Sequence, residues 1–97
     1  MARGYWLARL NIKNPDMFAE YRKRNAAPLS KFGGKFIVKG GKAEARFGPA
    51  AAENVVIEFE SYAQAVACFD SSEYQAATQY LKQSADVIEF VIAEGAE

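Results

Sequence analysis

The alternation of apolar and polar residues along the chain predicts its strands and helices. In Tyr5–Ile12, apolar positions recur at every second residue, which is typical of a strand. Asn14 followed by Pro15 predicts a helix start, because Asn caps a helix N-terminus and proline is favoured at its first position. Apolar residues then recur at three- and four-residue spacing, which predicts a helix that ends at Gly33-Gly34.

The rest of the chain predicts three more strands and a second helix in two pieces. These elements are strands at Phe36–Lys39, Asn54–Glu60 and Asp86–Glu94, with helical pieces capped by Ser61 and Ser71. The order strand, helix, strand, strand, helix, strand is that of the ferredoxin-like βαββαβ fold, in the α+β class. We therefore expect a single domain over residues 1–97, with an antiparallel sheet in strand order 4-1-3-2 and both helices on one face.

The two faces of this sheet differ in character. One is bulky and apolar, so we expect it to carry the helices; it collects Trp6, Ala8, Leu10, Ile12, Phe36, Val38, Val55, Ile57, Phe59, Ile88, Phe90 and Ile92. The other mixes apolar with charged residues, and collects Tyr5, Leu7, Arg9, Asn11, Ile37, Lys39, Val56, Glu58, Val87, Glu89 and Val91. A face of this kind commonly pairs with a second copy of itself by twofold symmetry, so the pattern predicts a homodimer.

Three charged residues of the mixed face form a candidate ion cluster. Arg9 lies on the first strand, between the third and the fourth, so Glu58 and Glu89 are candidates to flank it. We interpret the three as an ion cluster at an interface or in the interior of a dimeric barrel. The alternatives are a pair of carboxylates for acid–base chemistry and simple exposure at the surface.

An asparagine and a proline in the first helix lead to a hypothesis about function. Pro28 has no N–H and displaces the carbonyl of Arg24, so the helix is expected to bend or break near residues 24–28. A bend would open space above the sheet, lined by Asn25. The amide of Asn25 would either bond the freed carbonyl and repair the kink, or point into a small-molecule pocket. In the second interpretation, the pocket walls are Tyr21, Phe32, Trp6 and Tyr62.

Composition excludes several classes of function. Lys plus Arg number 12, as do Asp plus Glu, so the chain lacks the basic excess of a general nucleic-acid-binding surface. Histidine is absent and Cys68 is the one cysteine, which excludes His-based nucleophile systems and His- or Cys-ligated zinc. No phosphate-binding glycine motif occurs, and we expect neither a metal nor an organic cofactor. Without a signal peptide or an apolar run of ~20 residues, we expect a cytoplasmic protein that does not enter the membrane.

Five segments of the chain resemble one protein family. They are "GYWLARLNI", "FGGKFIVKGG", "NVVIEF", "SSEYQAA" and "VIAEG", in that order, and they are similar to the small bacterial proteins classed as domain of unknown function 1330. The resemblance spans nearly the whole chain. It implies a dimeric α+β barrel, in which two ferredoxin-like sheets face each other with the helices outside. The wider superfamily includes cofactor-free monooxygenases and small isomerases.

The resemblance also implies which positions follow the family pattern. They are Asn25-Ala26, the glycine pairs Gly33-Gly34 and Gly40-Gly41, then Ser71, Glu73, Tyr74 and Glu94-Gly95. The chain departs from the pattern where Ser72 replaces a proline, Phe32 replaces a common tyrosine, and "RFG" stands in place of "LEG".

Three hypotheses about function remain open. The leading one is a homodimer whose subunits each bind a small, partly apolar ligand between the helices and the apolar sheet face, oriented by Asn25. The second is a cofactor-free oxygenase or isomerase of an aromatic or lactone-like compound, with Glu58, Glu89, Glu94 and Tyr21 as candidate acids or bases. The third is a structural or interaction module without a ligand.

Overall fold

The computed structural model describes residues 2–97 and arranges them as four strands and three helices. The strands are β1 (Gly4–Ile12), β2 (Lys35–Lys39), β3 (Glu53–Phe59) and β4 (Ala85–Glu94); the helices are α1 (Pro15–Lys31), α2 (Tyr62–Asp70) and α3 (Ser72–Ser84). This order confirms the predicted ferredoxin-like fold of the α+β class, with its second helix in two pieces.

The sheet is antiparallel throughout, in the order β2-β3-β1-β4. This is the predicted order read from the opposite edge. On the central strand β1 the alternation is regular, since Trp6, Ala8 and Leu10 are buried whereas Leu7 and Arg9 are not. The buried side packs on the helices, and we call the opposite side the outer face. The core of the protein therefore lies between one sheet face and the helices.

The helix starts follow from short polar side chains. The side chain of Asn14 accepts a hydrogen bond from the backbone N–H of Met17 at 3.1 Å, and Pro15 occupies the first turn. Ser61 accepts from Gln64 N at 3.1 Å, and Ser71 accepts from Tyr74 N at 3.2 Å. Each cap satisfies a backbone donor that has no partner within its helix, so these residues fix where the helices begin.

Two β-bulges correct the predicted assignment of residues to sheet faces. In β2, the register shifts between Phe36 and Val38, so that Val38 lies opposite Val56 and Lys39 lies opposite Val55. Lys39 is thus on the helix side and Val38 on the outer face, the reverse of the prediction. The reason is physical: one extra residue in a strand reverses the alternation beyond it.

The second bulge lies between β1 and β4. It places Val87, rather than Ile88, opposite Leu10, whereas strict alternation assigned Ile88 to the helix side. Before the bulge, the pairs formed by Trp6 with Ile92 and Ala8 with Phe90 follow the predicted pattern.

Pro28 does not break α1. The helix runs without interruption to Lys31, and the carbonyl of Pro28 accepts a hydrogen bond from Phe32 N at 3.0 Å. Of the predicted bend or break near residues 24–28, the break is therefore wrong. Pro28 lies three residues before the end of the helix and is fully buried, so packing holds the chain helical where one backbone hydrogen bond is lost.

Candidate functional site

A cavity of about 830 Å³ lies between α1 and the helix side of the sheet. We call it the helix–sheet cavity. Its interior is formed by buried residues: Trp6, Ala8, Leu10, Phe18, Tyr21, Asn25, Leu29, Ile57 and Leu81. Its mouth is formed by exposed residues that include Arg22, Ala26, Ser30, Phe36, Lys39 and Gly41. The interior is largely apolar, so the few polar groups in it determine what it can recognise.

Asn25 is a polar residue of the cavity interior that the sequence predicted to line a pocket. Its exposed fraction is 9%, and it lines the cavity. Among residues 2–97 its amide has no partner with full hydrogen-bond geometry, although it is close enough to the Tyr21 hydroxyl to lower that residue's pKa. Every fully buried side-chain nitrogen or oxygen in this part of the chain has a partner. The amide of Asn25 therefore reaches accessible space, which here is the cavity.

Tyr21 and Tyr74 form a hydroxyl pair beside Asn25. Their hydroxyl oxygens lie 2.7 Å apart and are buried. Burial raises the pKa of Tyr21, and the hydrogen bond with Tyr74 and the nearby Asn25 amide only partly oppose that effect. Burial also raises the pKa of Tyr74, with the neighbouring Tyr21 acting in the same direction. Both phenols thus stay protonated at neutral pH, and Tyr21 is a hydrogen-bonding group instead of a base.

Trp6 forms part of the cavity wall and joins it to the core. Its exposed fraction is 2%, and its indole Nε1 donates a hydrogen bond to the carbonyl of Ala65 at 2.9 Å. Its ring packs against four other aromatic rings at centroid distances of 4.8–6.1 Å, those of Phe59, Phe69, Tyr74 and Phe90. This packing fixes the ring, so the wall is rigid.

Phe32 and Tyr62, the other two predicted wall residues, do not line the cavity. Phe32 is the residue that caps the C-terminus of α1 and is half-buried against the core. Tyr62 is the first residue of α2 and is 43% exposed. Helical spacing does not predict the direction of either side chain, because both residues lie where a helix ends or begins.

Three charged residues that line the cavity were not predicted from the sequence: Arg22, Lys39 and Glu53. Arg22 precedes Asn25 by three residues on α1, so helical spacing was a usable signal. Lys39 reaches the helix side only because of the bulge in β2. Glu53 is the first residue of β3, and an alanine Cβ at Gly40 would come within 3.2 Å of its Oε2. These residues place two cations and one carboxylate around an otherwise apolar cavity.

The predicted ion cluster is formed only in part. On the outer face, Arg9 Nη1 lies 3.1 Å from Glu89 Oε1, whereas Arg9 Nε donates to Asn54 Oδ1 at 3.1 Å. Glu58 instead accepts a hydrogen bond from the Tyr5 hydroxyl at 3.1 Å. The register explains this correction, because Arg9 lies opposite Asn54 and Tyr5 lies opposite Glu58. Arg9 Nη2 also donates to the carbonyl of Pro49, which ties the loop before β3 to this face.

Cys68 is buried and unreactive. Its thiol contacts the carbonyl of Pro28 at 3.6 Å, and burial raises its pKa to about 11. A thiol with this pKa is not a nucleophile at neutral pH, so Cys68 contributes packing alone.

Comparisons with known proteins agree with this architecture. The family model described as a domain of unknown function (DUF1330) matches residues 3–96. The solved structure of the RPA0582 protein of unknown function from Rhodopseudomonas palustris is 19% identical, with 96% of this chain and 80% of that chain covered and a TM-score of 0.69. A search of curated proteins finds no match.

Two further solved structures are similar in fold. SnoaB, a cofactor-independent oxygenase from Streptomyces nogalater, is 13% identical, with 100% of this chain and 96% of that chain covered and a TM-score of 0.67. A dimeric ferredoxin-like protein of unknown function from Thermobifida fusca is 15% identical, with 99% and 92% covered and a TM-score of 0.55. At these identities the likeness concerns the fold. Within residues 2–97, none of the helices has the length and apolar character needed to span a membrane.

Proposed function

We propose that this protein, which belongs to the DUF1330 family, binds a small, partly apolar molecule in the helix–sheet cavity. The observation that carries the proposal is the Asn25 amide, which is almost buried, lines the cavity and, among residues 2–97, approaches the Tyr21 hydroxyl without full hydrogen-bond geometry. The volume of about 830 Å³ lies in the range of small-molecule sites, which is roughly 300–1,000 Å³. The cytoplasmic location predicted from the sequence is part of this proposal.

The energetics support a role for Asn25 beyond packing. A buried polar group without a partner costs roughly 1–3 kcal/mol, and an apolar residue of similar size would avoid that cost. The repair interpretation would require a bond to the carbonyl of Arg24, whereas the polar group that the Asn25 amide approaches is the Tyr21 hydroxyl. A ligand oxygen or N–H would satisfy the amide, and the aromatic wall beside it would bury the apolar part of the same ligand.

Binding should depend on Asn25. We choose 2-naphthol as a neutral aromatic probe with one hydroxyl, and ¹H–¹⁵N NMR as the measurement. The protein has one tryptophan, so the Trp6 indole gives one signal, and the Asn25 side-chain amide gives a second reporter inside the cavity. We expect 2-naphthol to shift both signals, and Asn25→Ala to raise the dissociation constant about tenfold, equivalent to about 1.4 kcal/mol.

The matched control is Gln79→Ala, which removes an exposed amide from α3 and should leave the affinity unchanged. Thermal unfolding of both variants separates binding from stability. If 2-naphthol moves neither cavity signal at saturating concentration, or if Asn25→Ala binds it as tightly as the parent chain, the proposal is wrong.

The proposal includes a homodimer that forms through the outer face. Apolar side chains on this face or at its edge remain 38–48% exposed in one chain: Leu7, Ile37, Val38 and Val91. Burying such a patch against a second copy stabilises the dimer by the hydrophobic effect. The structure from Thermobifida fusca, which is similar in fold, is described as dimeric.

Light scattering at micromolar concentration should therefore give about twice the chain mass of 10.7 kDa. Leu7→Lys places a charge at the centre of the outer face and should give the monomer mass, because a buried unpaired charge is strongly unfavourable. Ala76→Lys, on the exposed side of α3, is the control and should remain dimeric. A monomer mass for the parent chain would refute the dimer.

A cofactor-free oxygenase or isomerase is the second candidate function, and Glu53 is the observation that favours it. Its carboxylate lines the cavity, where it can accept a proton from a bound substrate. The predicted bases lie on the opposite face of the sheet, where Glu58 accepts a hydrogen bond from Tyr5 and Glu89 accepts one from Arg9. Glu53→Gln would abolish turnover without abolishing binding if this candidate is correct. The third hypothesis, a module without a ligand, has no role for a cavity of this size.

A further inference from the structure

We propose that the ligand is an anion with an apolar body, and that Lys39 and Arg22 bind its negative charge at the mouth of the helix–sheet cavity. This inference rests on the proposed binding function and adds the chemical class of the ligand. It is carried by the position of the two cations, by the absence of a salt bridge to either one within residues 2–97, and by the apolar interior that they border.

Lys39 is placed at the cavity by an irregularity in the strand. The bulge at Ile37 sets Lys39 opposite Val55, a residue of the cavity wall. Its Nζ lies 4.6 Å from the centroid of the Phe36 ring, which also borders the mouth. This contact is a cation–π interaction, and it holds the ammonium group beside the opening. If β2 paired with β3 without this bulge, Lys39 would lie on the outer face.

Arg22 approaches the same mouth from the helix. It lies on α1 three residues before Asn25, so the two residues are neighbours on one side of the helix. The guanidinium carbon lies 4.8 Å from the centroid of the Phe18 ring, and both residues line the cavity. A planar guanidinium can donate two parallel hydrogen bonds to a carboxylate. Arg22 and Lys39 thus face one opening from two different layers of the fold.

Neither cation forms a salt bridge within residues 2–97. Of the 12 lysine and arginine residues, seven form salt bridges within residues 2–97: Arg3, Arg9, Lys13, Lys23, Arg24, Lys31 and Arg46. Arg22 and Lys39 are among the five that form none in this part of the chain. Two unpaired cations at one apolar cavity create a positive potential that attracts an anion.

The carboxylate of Glu53 limits the negative charge that a ligand of the cavity can carry. With two cations and one carboxylate around it, the cavity carries a net charge of about +1. A ligand with one negative charge is therefore favoured over a dianion, which Glu53 would repel, and over a cation. The apolar interior and the Asn25 amide then select a body of roughly one or two rings that carries a carboxylate, a phenolate or an enolate.

The test compares the affinities of three probes that share a naphthalene ring and differ in charge. At pH 7, 2-naphthoate is an anion, 2-naphthamide is neutral and 2-naphthylmethylamine is a cation. Affinity is measured from the NMR shifts of the Trp6 indole and the Asn25 side chain. We expect 2-naphthoate to bind about tenfold more tightly than 2-naphthamide, and the cation to bind most weakly. The preference for the anion should fall as salt is raised, because mobile ions screen an exposed charge pair.

Lys39→Gln should lower the affinity for 2-naphthoate about tenfold and leave the affinity for 2-naphthamide unchanged. Lys35→Gln is the matched control: Lys35 is in the same strand and also forms no salt bridge within residues 2–97, but it lies opposite Glu58 rather than at the cavity. It should alter neither affinity. Since both lysines are exposed, neither change threatens the fold.

The outcomes separate this inference from the function on which it rests. If no probe shifts the cavity signals, the binding function itself is wrong. If 2-naphthamide binds as tightly as 2-naphthoate, or if Lys39→Gln and Lys35→Gln behave alike, the cavity binds neutral ligands and the anion assignment is overturned.

Discussion

Trp6→Ala is expected to lower the free energy of unfolding by about 4 kcal/mol, the middle of the range for deletion of a buried aromatic side chain. Three losses combine in this change. The apolar area of the indole is no longer buried, the four aromatic partners lose their contacts, and the Nε1–H donor to the carbonyl of Ala65 disappears. A 97-residue domain has a total stability of roughly 5–15 kcal/mol, so much of the population would unfold on mild heating.

Thermal and urea unfolding followed by circular dichroism would measure this change. Protein concentration must be held fixed, because dimerisation makes the apparent stability concentration-dependent. Tyr62→Ala is the control, since Tyr62 is a large aromatic residue that is 43% exposed, and it should cost less than about 1 kcal/mol. Trp6→Phe should fall between the two, because it keeps a ring in the cluster but loses the donor. Equal effects for Trp6→Ala and Tyr62→Ala would contradict the described core.

Gly4→Ala is expected to destabilise the fold by about 3 kcal/mol, although it adds only one methyl group. A Cβ at Gly4 would clash with the carbonyl oxygen of Ser61 and would lie 2.7 Å from the Cα of Tyr62. These are backbone atoms, so no side-chain rotation can relieve the clash. Either β1 or the start of α2 must move, and a moved α2 displaces the Ala65 carbonyl that accepts from Trp6.

The loss should lower the melting temperature by roughly 15 °C, at about 4–8 °C for each kcal/mol in a domain of this size. Gly33→Ala separates steric clash from backbone strain. Gly33 has a φ of +74° and nothing within 4 Å of an added Cβ, so only strain of about 1 kcal/mol is expected there. A Gly4→Ala protein as stable as Gly33→Ala would show that the contact between β1 and α2 is loose.

The fold could be predicted because its signals are local. Asn14, Ser61 and Ser71 each cap a helix through a hydrogen bond to a backbone N–H three residues later. The alternation in β1 follows from burial of one face, which affects every second residue alike. These features depend on neighbours in sequence, so periodicity and capping chemistry were sufficient to find them.

The details of the site depended on information that is not local. Whether a strand carries an extra residue is decided by packing against its partner, and the bulge at Ile37 turned Lys39 towards the cavity. The same limit applies to Arg9, which was expected to lie near Glu58 and lies opposite Asn54. Asn25 and Tyr21, by contrast, lie within one regular helix, so helical spacing was sufficient to place them on the side that lines the cavity.

The extra residue in β2 also bears on how this family can change in evolution. If Ile37 instead paired with Val56 and the bulge were lost, strict alternation would turn Lys39 outwards and bring Val38 to the cavity in its place. Because β2 is an edge strand whose residues are all exposed, such a shift in pairing would leave the core intact. A one-residue shift in the pairing of β2 could therefore exchange a cationic entrance for an apolar one, and relatives that differ in the bulge of this strand should differ in the charge of the compounds they accept.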